Sequence, residues 1–301
     1  MYGANYCIAK NADDVIQHLN NLIKSDKKYV YRGFSNVEEL YPKIMRESIA
    51  LVKYEHEILN QFERKCGMYI NVHTAIDFVA CAQHYGLSTR LLDFSHNPFV
   101  ALAFAIEKEK KNEAQCGRNE YYCVIYIPIE ENLLLDGLPE KSAFWNNSSK
   151  QLFSSQAIKS FKNIENLFEI GEYNPNEWMT GTNLKNIEPE FVKKCVSDKQ
   201  LLFVEPSVVA YRILAQQGLF MVPYLLDRER FKQLIMRHSE LLLIPVRLRN
   251  ELRNYLKSVG YDMYHLMPDI ESACKEIYQE MQDKIDEEKE KRMPKLFDLE
   301  K

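Results

Sequence analysis

The segment from Pro98 to Ile106 constrains the fold more than any other, because a residue that favours a helix start is followed by an almost wholly apolar run. Pro98 stands where a helix can begin, since its missing N–H is not needed in the first turn. The residues that follow, from Phe99 to Ile106, are nearly all apolar. A helix that is apolar on every side is a buried one. We therefore expect this helix to lie inside the molecule, covered on most sides by other elements.

Helical stripes and short β-favouring runs occupy much of the remaining chain. Asn11 or Asp13 is expected to cap a first helix. A later helix is expected to start with a capping arrangement at Thr74 and Asp77 and to end at Gly86 in a left-handed cap. Because helices and strands do not alternate as regular βα units, we predict an α+β fold with a central mixed or antiparallel sheet flanked by helices. The predicted strands are Tyr29–Gly33, Tyr121–Ile127, Leu201–Val204, Leu219–Val222 and Leu241–Val246.

Two regions stand apart from this core. Residues 130–200, which include both tryptophans and an Asn-Asn-Ser-Ser run, are predicted to form an irregular, partly helical insertion. From Glu276 onward the chain is strongly charged, which predicts a solvated helical tail, with a partner-binding tail as the alternative. The predicted organisation is one domain over residues 1–275, which contains the insertion, followed by a charged helix or tail over residues 276–301.

Composition argues against several classes of protein. The 39 basic and 43 acidic residues give a net charge of −4, which argues against general nucleic-acid binding but leaves room for a local basic cleft. The seven cysteines include no C-x-x-C pair, so neither a zinc site nor a disulfide framework is indicated. No apolar run approaches the ~20 residues of a membrane span, and the residues after Met1 do not resemble a secretory signal. We therefore expect a cytoplasmic protein with no membrane contact and no bound metal.

The end of the first predicted strand has the chemistry of an anion site. Arg32 can direct its five donors toward a carboxylate or phosphate, and Gly33 lets a backbone or a ligand approach closely. Because the neighbours of Arg32 in the strand are apolar, its base should be partly buried, and an anion must then stand opposite its guanidinium. Asp93 is the first candidate for that anion and Glu205 the second, unless a ligand supplies it.

A second segment, which ends at Asp93, is dense in polar groups within apolar surroundings. Such groups are costly to bury unless they bond to one another or to a ligand. Arg90 and Asp93 are expected to form a bidentate pair. Tyr85 offers a flat face to a base or a nicotinamide ring, and Ser88 and Thr89 offer hydroxyls. The alternative is a buried polar network that fixes the core.

Further candidates lie later in the chain or depend on a two-residue pattern. Gln216 and Gln217 can orient a hydroxyl or an amide but cannot act as a general base, and Glu205 is the only carboxylate nearby. Arg90 and His96 also have a spacing found in metal-independent ribonucleases, in which a histidine does acid–base work and an arginine holds the phosphate. A two-residue match arises often by chance, so this is the third reading.

Several short segments together resemble one family. They are Tyr31-Arg32-Gly33, Leu40-Tyr41-Pro42-Lys43-Ile44-Met45-Arg46, Gln83-His84-Tyr85-Gly86-Leu87-Ser88-Thr89-Arg90-Leu91-Leu92-Asp93 with Asn97-Pro98, Ala215-Gln216-Gln217-Gly218-Leu219-Phe220, and Pro268-Asp269. This combination resembles the FRG domain family, which is named for a Phe-Arg-Gly motif that stands here as Tyr-Arg-Gly. The resemblance covers nearly the whole predicted domain apart from the insertion. The family name implies little chemistry.

The order of the motifs is also similar to that of arginine-type ADP-ribosyltransferases, which suggests NAD as a substrate. In that resemblance an early arginine holds the ribose or phosphate of NAD, hydroxyls support the nicotinamide ribose, and a late glutamate completes the site. This chain has two glutamines in place of that glutamate, which leaves a non-enzymatic ligand-sensing or protein-interaction module as the alternative to a transferase or glycohydrolase. The implied catalytic residues are Arg32, Gln216 and Glu205. The implied cofactor-binding residues are Arg32, Gly33, Tyr85, Ser88, Thr89, Arg90 and Asp93.

These hypotheses make one geometric prediction. Arg32 should lie within one pocket's width of Thr89 and Gln216, with Tyr85 on the wall. Residues 130–200 should lie outside the cleft or form its rim. The expected ligand is a small nucleotide or another anion.

Overall fold

The computed structural model describes residues 5–48, 51–70, 75–108, 121–129, 133–135, 201–206, 210–223 and 227–292. Within them, eight strands form one mixed sheet in the order β1-β8-β4-β2-β3-β7-β6-β5. The pairs β1–β8 and β5–β6 are parallel, and the other neighbours are antiparallel. The strands are β1 (Tyr6–Ile8), β2 (Tyr29–Phe34), β3 (Leu92–Ser95), β4 (Tyr121–Pro128), β5 (Leu133–Leu135), β6 (Leu202–Val204), β7 (Gly218–Met221) and β8 (Glu240–Pro245).

Helices flank the sheet, so the predicted α+β class is confirmed. They are α1 (Ala12–Lys24), α2 (Lys43–Glu47), α3 (Glu55–Cys66), α4 (Ala75–His84), α5 (Pro98–Ile106), α6 (Tyr211–Ala215), α7 (Arg228–His238), α8 (Arg249–Ser258), α9 (Met263–Leu266) and α10 (Ile270–Arg292). Single 3₁₀ turns lie at Val37–Leu40, Leu51–Tyr54, Gly67–Tyr69 and Val246–Leu248. No helix in the described part of the chain is long and apolar enough to cross a membrane.

Local sequence signals decide several helix ends. The Asn11 side chain accepts a hydrogen bond from the Asp14 N–H at 2.8 Å, so Asn11, and not Asp13, caps α1. Gly86 has φ +95 just after α4, which confirms the predicted left-handed end. The predicted cap at Thr74 lies outside the described residues.

The predicted insertion and tail are described only in part. Residues 133–135, inside the predicted insertion, form β5 and pair with β6, so this part of the insertion is a strand and not irregular. The rest, over residues 130–132 and 136–200, lies outside the described residues. The charged run from Glu276 is helical as far as Arg292 and belongs to α10, which begins earlier, at Ile270.

The apolar helix α5 is buried, as its sequence predicts. Of its nine residues, only Phe104 is partly exposed. It packs in one core cluster with residues of α1, α8 and the sheet face that carries Tyr31. Val30 and Phe34 belong to a second cluster, because successive side chains of a strand alternate between faces.

Gly33 allows α5 to approach β2 more closely than any other residue would. A Cβ built at this position would lie 1.7 Å from the carbonyl oxygen of Ala101 and 2.8 Å from the backbone nitrogen of Ala105. Both atoms belong to the helix backbone, which cannot move aside as a flexible side chain can. The close approach that Gly33 was predicted to permit is therefore made by a helix.

We expect Gly33→Ala to destabilise the protein by about 3 kcal/mol, the upper end of the usual cost of overpacking, because the whole helix must shift. The matched control is Gly67→Ala. Gly67 has φ −55, and its nearest neighbour is a side-chain atom at 3.9 Å. That variant should keep its stability or gain up to about 1 kcal/mol. Urea unfolding compares the two, and equal midpoints would contradict the packing argument.

Candidate functional site

A cavity opens where β2 and β3 stop pairing. The two strands pair only at Tyr31 opposite Ser95, whereas β2 continues along β4 as far as Phe34. The gap forms a cavity of about 220 Å³. Its charged lining residues are Arg32, Arg46, Lys108, Arg212, Glu39, Asp93 and Glu107, and its larger apolar ones are Tyr31, Phe94, Val100, Phe104 and Met267.

Arg32 bridges this gap, because its guanidinium donates hydrogen bonds to backbone carbonyls on both sides of it. Its Nη1 donates to the carbonyl of Asp93 at 2.6 Å, and its Nη2 and Nε donate to the carbonyl of Glu39 at 2.6 and 3.3 Å. Its burial lowers the pKa of Arg32 to about 10, with Asp93 acting in the opposite direction and Arg46 in the same one. The guanidinium therefore stays protonated at neutral pH, and neither expected carboxylate forms an ion pair with it.

Two more arginines line the cavity and have no side-chain partner in the part of the chain that the structure describes. Arg46 lies at the end of α2 and Arg212 at the start of α6. Within the described residues, neither guanidinium has a hydrogen bond or an ion pair. Neither was predicted as a site residue from the sequence, although Arg46 lies inside a segment that carries the family resemblance and Arg212 stands three residues before another. The cavity thus holds three arginines that form no ion pair with a carboxylate of the described residues.

The three carboxylates of the cavity differ in their partners. Glu39 forms an ion pair with Lys108 at 2.6 Å and accepts from the Ser35 N–H at 2.9 Å. Burial acts to raise the pKa of Glu39, but these hydrogen bonds outweigh it and lower the pKa below its ordinary value. The carboxylate of Asp93 accepts from the Gln83 amide at 2.9 Å.

Glu107 is the third carboxylate; its backbone carbonyl accepts from Arg249 Nη2 at 3.0 Å, but its carboxylate has no hydrogen-bond or ion-pair partner within the described residues. Burial raises the pKa of Glu107, against the opposing effect of Lys108 and Lys275. Glu107 was not predicted as a site residue, because nothing in the run after α5 indicates that it lines a cavity.

Gln216 lines the same cavity as Arg32, so this part of the geometric prediction is confirmed. Its position is fixed twice: Ser95 Oγ donates to its backbone carbonyl at 2.6 Å, and its Nε2 donates to the carbonyl of Leu266 at 2.9 Å. Gln217 follows with φ +46, a left-handed conformation that turns the chain into β7. Gln216 therefore joins α6, β3 and α9 at one wall of the cavity.

Asp93 lines the cavity as predicted, but the other hydroxyl and aromatic groups predicted from the second polar segment do not. Tyr85 is 71% exposed and does not line it. Thr89 is fully buried and donates to Gln83 Oε1 at 2.5 Å. The Ser88 hydroxyl donates to the carboxylate of Glu47. These hydroxyls already have protein partners, as the alternative of a polar network predicts.

Arg90 pairs with Glu55 and not with Asp93, so the expected local pair is also wrong. Glu55 accepts from the Arg90 N–H at 2.9 Å and from its Nε at 2.8 Å. Both side chains are buried, at 2% and 0% exposure. A buried ion pair with several hydrogen bonds leaves Arg90 no contact with the cavity.

Glu205 lies outside the cavity as well. Its carboxylate meets His96 Nε2 at 2.7 Å, and it does not line the cavity. With Arg90 buried and His96 paired, the two residues of the ribonuclease pattern do not form a shared site. The described residues contain no group of three or more His, Cys, Asp or Glu side chains that could hold a metal ion.

Comparison with known families matches residues 27–114 to the FRG domain. The chain therefore contains an FRG domain over that segment, which includes β2, β3 and α5 and contributes Arg32, Arg46 and Glu107 to the cavity. No curated protein and no solved structure matches the chain. None of the comparisons matches an ADP-ribosyltransferase.

We expect Glu55→Gln to destabilise the fold by about 3–5 kcal/mol, because it leaves the buried Arg90 without its counterion. Glu57→Gln changes an exposed residue of the same helix and should stay within about 0.5 kcal/mol of the parent. Urea unfolding of both variants checks this, and a mild effect of Glu55→Gln would mean that another group neutralises Arg90.

Proposed function

We propose that the cavity binds a phosphate-bearing small molecule of the nucleotide class. The observation that carries this proposal is the state of Arg32: a partly buried, protonated guanidinium whose hydrogen-bond acceptors among the described residues are backbone carbonyls. Arg46 and Arg212 line the same cavity and have no partners of their own among the described residues. A phosphate would offset this concentration of positive charge, and arginine is the residue best suited to bind one bidentately.

The rest of the lining supports a ligand with a ring. Tyr31, Phe104 and Met267 provide apolar surface beside the arginines. The volume of about 220 Å³ is smaller than the roughly 300–1,000 Å³ usual for drug-sized ligands. A mononucleotide or one half of a dinucleotide therefore suits the cavity, and the other half of a dinucleotide would extend beyond it.

If the cavity also catalyses a reaction, we propose that the protein is an NAD-using enzyme, either an ADP-ribosyltransferase or a glycohydrolase. Arg32 and Gln216 keep the roles expected for them, on the phosphates and near the reacting sugar. The predicted support from Tyr85, Ser88 and Thr89 is lost, so a binding role for NAD rests on the arginines. The alternative is a non-enzymatic ligand-sensing module, and measuring the turnover of NAD distinguishes the two functions.

We expect Arg46→Ala and Arg212→Ala each to weaken the binding of AMP and of NAD by about 10- to 100-fold, the usual value of a hydrogen bond to a charged group. Neither arginine has a described partner to lose, so the thermal midpoint should hardly change. The control is Arg64→Ala, an exposed arginine of α3 that does not line the cavity. Isothermal titration calorimetry at low salt measures the affinities.

Equal affinity of all three variants would exclude this cavity as the anion site. Incubation of the protein with labelled NAD, alone and with cell lysate, then separates the two forms of the proposal. Released nicotinamide or transferred label supports the enzyme, whereas binding without turnover supports the sensing module.

A further inference from the structure

We infer that the Asp93 carboxylate accepts hydrogen bonds from the ribose hydroxyls of the bound nucleotide, so that the cavity selects ribonucleotides over nucleotides that lack these hydroxyls. The inference rests on the proposed nucleotide binding and goes beyond it by naming the sugar and the residue that recognises it. It starts from a chain of hydrogen bonds that begins beside a buried hydroxyl and ends at the Asp93 carboxylate, in the lining of the cavity.

Three hydrogen bonds fix one oxygen of this carboxylate. The Leu91 N–H can only donate, and Thr89 Oγ1 accepts it at 3.2 Å. The Thr89 hydroxyl donates to Gln83 Oε1 at 2.5 Å, and Gln83 Nε2 donates to Asp93 Oδ1 at 2.9 Å. Because Thr89 is fully buried, its hydroxyl needs the Gln83 oxygen as its acceptor. The Gln83 amide therefore keeps its NH₂ group toward Asp93 and holds the carboxylate as an acceptor.

The strand register directs the Asp93 side chain to the face of the sheet on which α5 lies. Ser95 pairs with Tyr31, whose side chain packs in the same core cluster as α5. Side chains two residues apart in a strand share a face, so Asp93 projects to the same side as Ser95. It lines the cavity there, as Phe104 of α5 does. Asp93 is exposed, which leaves its carboxylate accessible to a ligand.

The second oxygen of Asp93 is an open acceptor close to the cations of the cavity. Among the described residues, Asp93 Oδ2 has no hydrogen-bond partner and Asp93 forms no ion pair. Arg32 Nη1 donates to the backbone carbonyl of the same residue at 2.6 Å. Burial lowers the pKa of Arg32, and the charge of Asp93 is the largest effect that opposes it. The open oxygen therefore lies near the guanidinium that is proposed to bind the phosphate.

The sugar is the part of a nucleotide that suits this position. The carboxylate repels the phosphate, which therefore lies on the arginines, and the ribose is the group attached to that phosphate. Its 2′- and 3′-hydroxyls are donors, whereas the base lies beyond the sugar. An acidic side chain binds the ribose hydroxyls in the same way in dinucleotide-binding folds. Asp93 and the arginines thus bind opposite ends of one ribose phosphate.

Nucleotides that differ only in the sugar test this inference. Calorimetry at low salt measures the binding of AMP, 2′-deoxyAMP and 2′,3′-dideoxyAMP to the parent protein, to Asp93→Asn and to the control Asp13→Asn. Asp13 is an exposed aspartate of α1 that does not line the cavity. We expect the parent and the control to bind AMP about 10- to 100-fold more tightly than dideoxyAMP, the usual value of hydrogen bonds to a charged group. The affinity for 2′-deoxyAMP, which keeps one hydroxyl, should lie between the two.

Asp93→Asn should abolish the preference for AMP. Because Thr89 donates to Gln83, the amide of this variant keeps its oxygen toward Gln83 Nε2 and presents its NH₂ group to the ligand, where the parent presents an acceptor. AMP and dideoxyAMP should then bind alike. The affinity for dideoxyAMP should increase relative to the parent, because a negative charge near the phosphate has been removed.

Thr89→Val tests whether the hydrogen-bond chain positions the carboxylate. This variant cannot donate to Gln83, whose amide is then free to turn, so the ratio of the AMP and dideoxyAMP affinities should decrease. Thr89→Ser keeps the hydroxyl and should restore the ratio, which a general loss of stability would not explain. Circular dichroism confirms that the variants are folded. An unchanged ratio in Thr89→Val would exclude this positioning role.

The remaining outcomes overturn the inference in distinguishable ways. If the parent binds AMP and dideoxyAMP alike, the cavity does not recognise the sugar, and the proposed nucleotide site still stands. If Asp93→Asn keeps the preference of the parent, another group binds the hydroxyls. If none of the three nucleotides binds the parent, the inference fails together with the proposed function.

Discussion

The contact between β2 and α5 at Gly33 is the constraint on which the site depends. The helix backbone occupies the space that a Cβ would fill, so the strand and the helix pack more closely than a side chain at this position would allow. The next strand, β3, pairs with β2 at a single position. One face of the cavity is therefore a strand edge, and its floor is the buried helix.

Arg32 stabilises this interrupted sheet in place of ladder hydrogen bonds. Its guanidinium connects the carbonyl of Asp93 on β3 to the carbonyl of Glu39 in the turn after β2. Carbonyls satisfy the donors of an arginine but do not neutralise its charge. The same side chain thus bridges the two elements and remains a cation that forms no ion pair within the described residues.

The polar segment between α4 and β3 supports this arrangement from outside the cavity. Gln83 bonds both Thr89 and Asp93, and Arg90 is fixed by the buried Glu55. Together these contacts hold the start of β3 and so the carbonyl that Arg32 reaches. Groups that look like ligand contacts in the sequence therefore position the residues that line the cavity, because burial obliges them to find protein partners.

The sequence by itself determined the α+β class, the buried helix α5 and a cap of α1 at Asn11 or Asp13, because periodicity and capping chemistry are local signals. That Arg32 and Gln216 line one cavity was expected only from the order of the motifs, since the two residues are far apart in the chain. Only the tertiary structure decided which charges are paired. Arg90 finds Glu55, 35 residues away, rather than the nearby Asp93, because helix packing brings α3 against the buried start of β3. The same reason explains why one cavity contains Arg46, Arg212 and Glu107. Their elements are far apart in the sequence, so only sheet register and helix packing place them side by side.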